Sequence, residues 1–432
     1  FVTINPNNCM NRSNKYLVPF ILITSLFFFW GLIINLDSIL IPHLRKAFRL
    51  STLQSSLVDS SVFIAYFLMA IPAGMIMQRL GYRAGIIIGL LFFATGAFLF
   101  VPAANTREYG FFLAALFIIA CGLAMLETAA NPYATVLGPE HTSTQRLNFA
   151  QSFNGLAVVV APLIGGRFIL SGKEYTETDL GQMSASARNA YLQSEASGVK
   201  GPYIVIGMLI LAVAILFLLT KLPDIKEEKT ERRNLLHTLR HKHLLWAVIA
   251  QFFYVGAQVC VTSFFINLAH RSAGLNEKTA AEYLGWGYGI AFMTGRFFGT
   301  FIMKYIQPAR LLSIYAAVNI LLALVAIFSE GMITVYALIG IGFFMSIMFP
   351  TIFALGIKGL GHETKIGSSL IIMSIVGGAA LPPVLGYISD ATKNIQTGYI
   401  VPLVCFVVVL FFGLSGYKIR VTREEISQTQ VA

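Results

Sequence analysis

The chain has 432 residues, of which 56% are hydrophobic and only 12% charged. A soluble domain carries about 25% charged residues, so this sequence lacks a coat for water, and its mean hydropathy of +0.73 points to a surface in lipid. The net charge of +11 does not imply a nucleic-acid partner, because Lys and Arg sit in short breaks between apolar runs, where the positive-inside rule puts them.

A membrane-crossing helix needs about 20 mostly apolar residues, and twelve such runs follow one another. In the first half they cover 17–43, 53–77, 84–104, 110–137, 147–170 and 203–221. In the second half they cover 244–270, 280–303, 310–328, 332–356, 367–389 and 399–418. No signal peptide is evident, since the first run, Leu17 to Leu44, is too long for an h-region. With the N-terminus inside, Lys and Arg are commoner in the inner segments than in the outer ones. The expectation is therefore an all-α membrane protein of twelve transmembrane helices with both termini cytoplasmic. Its parts are a tail at 1–16, a six-helix bundle at 17–221, a cytoplasmic linker at 222–243, a second bundle at 244–418 and a tail at 419–432. Cys121, Cys260 and Cys405 lie inside apolar runs and read as small buried hydrophobes.

The two halves repeat. Span 4 ends Pro132-Tyr-Ala-Thr-Val-Leu137-Gly138 and span 10 ends Pro350-Thr-Ile-Phe-Ala-Leu355-Gly356, an offset of 218 residues. Phe28-Phe29-Trp30-Gly31 in span 1 answers Phe253-Tyr254-Val255-Gly256 in span 7, and Gly74 answers Gly299, both offset by 225. A six-plus-six duplication is the plan of the major facilitator fold, whose pseudo-symmetric halves rock around a central site.

An ionisable group inside a span is costly and is a functional candidate for that reason. Three acids qualify: Asp37 late in span 1, Asp59 in span 2 and Glu127 in the middle of span 4. A buried carboxyl holds its proton more tightly, which suits proton coupling. Asn148, Gln151 and Asn154 recur every three residues along span 5, and Gln251, Tyr254 and Gln258 share one face of span 7. Asn35 lies near Asp37, and Asn131 one turn beyond Glu127. Amides and carboxylates offer donors and acceptors to a polyhydroxylated ligand, while Trp30, Tyr254 and Phe349 offer rings to a sugar's apolar face. Arg296 in span 8 reads either as the partner of an acid across the halves or as an anchor near the cytoplasmic face. Pro132, Pro350, Pro382, Pro383 and Gly377-Gly378 mark helix breaks, tolerated where backbone lines a cavity. His237, His241 and His243 read as part of a solvated linker with no carboxylate spaced beside them. No metal site, cofactor or enzymatic constellation is expected.

Longer motifs carry a resemblance. Phe28-Phe-Trp-Gly-Leu-Ile-Ile-Asn35-Leu-Asp37, Leu126-Glu127-Thr-Ala-Ala-Asn131-Pro132, Ala250-Gln251-Phe-Phe-Tyr254-Val-Gly-Ala-Gln258, Phe349-Pro350-Thr-Ile-Phe and Gly361-His-Glu-Thr-Lys365-Ile-Gly-Ser-Ser369 resemble the fucose permease family. These are the fucose–galactose–glucose:cation symporters of the major facilitators, and the likeness, strongest to the L-fucose:proton branch, runs from about residue 16 to 415. It implies a central sugar site and coupling through acids on spans 1 and 4, the latter matching Glu127, with sugar-binding amides at Asn148, Gln151, Asn154, Gln251 and Gln258. The family's Asn-Asp-Ile-Leu lines up with Asp37-Ser38-Ile39-Leu40, so Ser38 takes the acid's place and Asp37 or Asp59 is left to supply it. In the loop after span 2, Gln78 stands where the superfamily has Asp, while Arg79 and Arg83 remain to brace the gate against helix C-termini. The expected activity is L-fucose or related hexose:proton symport by alternating access, with sodium-coupled glucose/galactose uptake as the alternative. The expected partners are a sugar, a proton or sodium ion and the lipid bilayer, for a monomer spanning the bacterial inner membrane.

Overall fold

The computed structural model describes residues 18–32, 35, 48, 52–168, 182–220 and 235–419. Among the described residues every regular element is helical. The first half contains α1 (Val18–Leu32), α2 (Thr52–Thr106), α3 (Tyr109–Val136), α4 (Ser143–Phe168), α5 (Ala185–Ser197) and α6 (Lys200–Leu219). Helix α2 is two arms joined at Gly81, whose φ of +83° and ψ of 171° lie outside helical space. Only glycine adopts that geometry without steric cost, and it falls in the expected break between spans 2 and 3. The apolar stretch Ser61–Thr106 has 46 residues, roughly 69 Å of helix, about twice the thickness of the hydrocarbon core.

The second half contains α7 (Lys242–Ala273), α8 (Ile290–Ile302), α9 (Pro308–Phe328), α10 (Met332–Met345), α11 (Met348–Gly356), α12 (Thr364–Met373), α13 (Gly377–Thr392) and α14 (Ile400–Phe411). Gly274 closes α7 in the left-handed conformation, the usual glycine stop. Pro308 opens α9, where its missing N–H costs nothing. A helical turn, Glu277–Glu282, and a π-turn, Tyr283–Gly289, lead into α8. Among the described residues eight helices are long and apolar enough to cross a membrane. Helices α4 and α8 occupy the spans expected at 147–170 and 280–303 but are not among those eight.

The chain divides into two compact units, Phe1–Pro139 with Phe149–Asp224, and Glu140–Asn148 with Ile225–Ala432. In the first, α3 lies against α2 at glycines: a Cβ on Gly122 would stand 2.6 Å from the Gly89 carbonyl, and one on Gly96 2.7 Å from the Ile119 amide. In the second, a Cβ on Gly377 would stand 2.0 Å from the Phe252 carbonyl. Small residues draw helices together in lipid, where the hydrophobic effect does not. Gly377, expected as a break, is thus also the contact that seats α13 on α7.

Two polar segments carry structure of their own. Between the spans expected at 147–170 and 203–221, α5 forms, capped by the Ser184 side chain accepting from the Ala187 amide at 3.2 Å. The linker histidines are not simply solvated. Nδ1 of His237 and Nε2 of His241 lie 2.8 and 2.5 Å from the two oxygens of Glu363, whose side chain is buried. His243 is buried beside His241, their rings 5.9 Å apart. The carboxylate beside them, absent from the local sequence, comes from 122 residues beyond His241. Among the described residues no group of three or more His, Cys, Asp or Glu side chains is placed to hold a metal.

Gly377→Val should lower the unfolding temperature in detergent, at a cost of about 1–3 kcal/mol. Gly201→Ala, at a position with open space around it, should leave it unchanged. Burial alone would raise the Glu363 carboxyl, but the hydrogen bonds and charges of His237 and His241 outweigh it and hold the group below its ordinary value of 4.5. A depressed folded-state value stabilises above the unfolded one and is lost as pH falls through the folded one. Glu363→Gln should therefore lower thermal stability at pH 7, with the gap to wild type closing as pH drops below 4.5.

Candidate functional site

Glu127 and Asn131 lie one turn apart on α3 and are both buried. Tyr66 on α2 faces the Glu127 carboxyl, whose Oε2 has no hydrogen-bond partner among the described residues. A polar atom in that condition carries its full desolvation cost. Asn131 accepts from Nε2 of Gln151 on α4 at 2.8 Å, and its own Nδ2 is unpartnered among the described residues. One turn along α4, Asn154 meets α1 so closely that a Cβ on Gly31 would stand 2.9 Å from its Cγ. Asn35, beyond Gly31, donates to the Gly31 carbonyl at 2.7 Å. The first unit thus gathers Glu127, Asn131, Gln151 and Asn154 from α3 and α4, beside α1. Trp30, on the same α1, has an indole nitrogen without a partner among the described residues.

The stripe on α4 divides between the units. Asn148 belongs to the second unit, where its Nδ2 donates to the Thr144 carbonyl at 2.9 Å and to Oγ1 of Thr351 on α11 at 3.2 Å. In that unit Gln251 and Tyr254 on α7 are fully buried. Neither the Gln251 amide atoms nor the Tyr254 hydroxyl have hydrogen-bond partners among the described residues. The Phe349 ring lies 6.3 Å from that of Tyr254, edge to face, and Gln258 is half-buried two turns from Gln251. Asn319 on α9, not singled out from the sequence, is as deeply buried, with both amide atoms unpartnered among the described residues. Its signal was available: a lone amide inside the apolar run Ala316–Val325.

Asp37 lies outside the described residues, and Asp59 is helical with its side chain outside the description. Arg83 donates from Nε to the Phe217 carbonyl at 3.2 Å and from Nη2 to the Leu218 carbonyl at 2.5 Å. These are free carbonyls at the C-terminus of α6, where a cation is favoured. Arg79 is exposed.

The profile of the Major Facilitator Superfamily matches residues 20–368. The chain belongs to the major facilitator superfamily. An L-fucose-proton symporter of Escherichia coli (strain K12) is 43% identical over 93% of this chain and 94% of its own length. A glucose/galactose transporter of Brucella abortus biovar 1 (strain 9-941) is 38% identical over 96% of this chain and 98% of its own. The crystal structure of a transporter, FucP, in the outward conformation superposes with a TM-score of 0.86 at 42% identity, covering 93% of this chain and 99% of that one. This major facilitator is therefore an all-helical, multi-pass membrane transporter, with the fold and relatives of a transporter rather than an enzyme.

A buried amide with no partner destabilises, so replacing it by an apolar side chain of similar size is neutral or stabilising unless the amide has a ligand to meet. Gln251→Leu should leave the unfolding temperature unchanged or raise it, while raising KM for the carried substrate about tenfold, or roughly 1.4 kcal/mol. Thermal melts and uptake kinetics on the same preparation check both halves.

Proposed function

We propose that this facilitator is a sugar:proton symporter that carries L-fucose or a related hexose by alternating access. The observation that carries the reading is the buried Glu127 carboxyl, with one oxygen unpartnered among the described residues and amides close by. A carboxyl placed in hydrocarbon is cheap when protonated and expensive when ionised, so it changes state as water and substrate come and go. Glu127 then takes part in proton exchange and meets a sugar hydroxyl, while Asn35, Asn131, Asn148, Gln151, Asn154, Gln251 and Gln258 bind the remaining hydroxyls. Tyr254 and Phe349 pack the apolar face of the ring. Support comes from the L-fucose-proton symporters among the relatives, including that of Haemophilus influenzae (strain ATCC 51907 / DSM 11121 / KW20 / Rd) at 34% identity.

Asp37 and Asp59 remain the candidates for a second protonation site, because Ser38 stands where the family has its span 1 acid. Arg79 and Arg83 belong to the inward gate in this reading. The proposed organisation has twelve spans in two six-helix halves, 17–221 and 244–418. Both tails and the 222–243 linker are cytoplasmic, and the protein is a monomer in the bacterial inner membrane. Sodium-coupled glucose/galactose uptake is the second reading, favoured by the glucose/galactose transporters among the relatives and by the serine at position 38.

Uptake of labelled L-fucose into proteoliposomes, with D-galactose and D-glucose as competitors, tests the reading under a proton gradient and, separately, a sodium gradient. Proton-driven accumulation of L-fucose is expected, and Glu127→Gln should abolish it. Exchange of internal for external sugar needs no net proton release, so that variant should retain it. Sodium-driven uptake preferring glucose or galactose would move the protein to the second reading.

A further inference from the structure

The role of Arg296 begins with a missing hydrogen. In a continuous helix the N–H of residue 350 would donate to the carbonyl of residue 346. Residue 350 is proline, which has no N–H. Helix α10 accordingly ends at Met345 and α11 starts at Met348, with Ser346 and Ile347 between them. The hydrogen bonds resume with the Thr351 amide to the Ile347 carbonyl at 3.2 Å. The Ser346 carbonyl is left to find a donor from another element, in a region without bulk water.

Arg296 supplies it. The side chain is 4% exposed, and its Nε donates to the Ser346 carbonyl at 2.8 Å. Helix α8 reaches the break because Gly295 precedes Arg296: a Cβ there would stand 2.4 Å from the Phe343 carbonyl and 2.9 Å from the Ser346 hydroxyl. The guanidinium carbon lies 4.7 Å from the centre of the Phe292 ring, a cation–π contact. A cation at the C-terminus of α10 also meets the negative end of the helix dipole. The same guanidinium lies near Tyr254 and Tyr288. Arg296 is therefore bonded to the break and near the ring that pairs with Phe349. Its side chain is buried within the second unit rather than exposed.

We propose that Arg296 is a positioning residue of the sugar site. By replacing the hydrogen bond that Pro350 cannot make, it sets the direction of α11 and so places Phe349 beside Tyr254 and Thr351 within reach of Asn148. The proposal rests on the sugar-site reading given above, deepens it by one residue, and can be judged apart from it.

The test is a double-mutant cycle between Arg296→Met and Pro350→Ala, because the alanine restores an N–H that can reach the Ser346 carbonyl. Sugar KM and Vmax in proteoliposomes and the unfolding temperature in detergent are read for wild type, both single variants and the double. The expected result is a KM raised at least tenfold in Arg296→Met, with Vmax changed much less and a lower unfolding temperature. On the Pro350→Ala background the same substitution should change KM less than threefold and the unfolding temperature little. Effects that simply multiply, or a loss of thermal stability with KM unchanged, would overturn the proposal. Should Arg296→Met fail to fold, Arg296→Lys, which keeps the charge but loses the planar fork, enters the same cycle with the same criteria. If wild type transports no sugar, the sugar-site reading falls, and the thermal cycle alone still decides whether Arg296 caps the break.

Discussion

Hydrocarbon offers no hydrogen bonds, so each polar group inside a span must find its partner in the protein or in whatever passes through it. Among the described residues, several serine and threonine hydroxyls settle the matter within their own helix. Thr24, Thr128, Thr262 and Ser313 each donate to the carbonyl four residues earlier. Such groups cost little and imply nothing about ligands. Glu127, Asn131, Gln251 and Asn319 behave differently, being buried with polar atoms left over among the described residues. Four such side chains are an expensive arrangement for a protein that merely holds itself together, and a natural one for a protein that exchanges partners with a passenger.

The same constraint shapes the backbone. Gly81 and Pro350 interrupt helices, and each interruption frees groups that must be satisfied. Gly81 separates the two arms of α2, with the exposed Arg79 just before it and Arg83 just after it capping the carbonyls of α6. The break before Pro350 lies among buried residues and draws on Arg296 instead. Broken helices at a substrate site are a recurring device of secondary transporters, since freed ends are where orientation is most readily altered.

Much of this was legible in the sequence because membranes simplify the code. Apolar runs gave most helices within a few residues, since a span's length follows the bilayer. Glu127 was readable as an acid in an apolar run, Asn131 as an amide one turn beyond it, and Gln151 as part of the span 5 stripe, while the bond between Asn131 and Gln151 was not. What escaped reading depended on distant contacts. Glu363 belongs to a motif noted for its likeness to a family, but nothing local joins it to His237 and His241. Arg296 looked like an anchor because its partner is a backbone carbonyl fifty residues away, and carbonyls leave no mark on a sequence. Helix α5 hid in a polar segment without apolar periodicity, started by Ser184 as its cap. Asn319 was missed for a simpler reason: a single amide makes no stripe.

In this reading a buried carboxyl couples the movement of sugar to the movement of a proton. The most direct measurement is the external pH of a weakly buffered suspension of de-energised proteoliposomes when L-fucose is added outside. An immediate alkalinisation is expected as sugar enters with protons, abolished by a protonophore and absent with Glu127→Gln. Labelled L-fucose entering down its gradient with no change in external pH would contradict it.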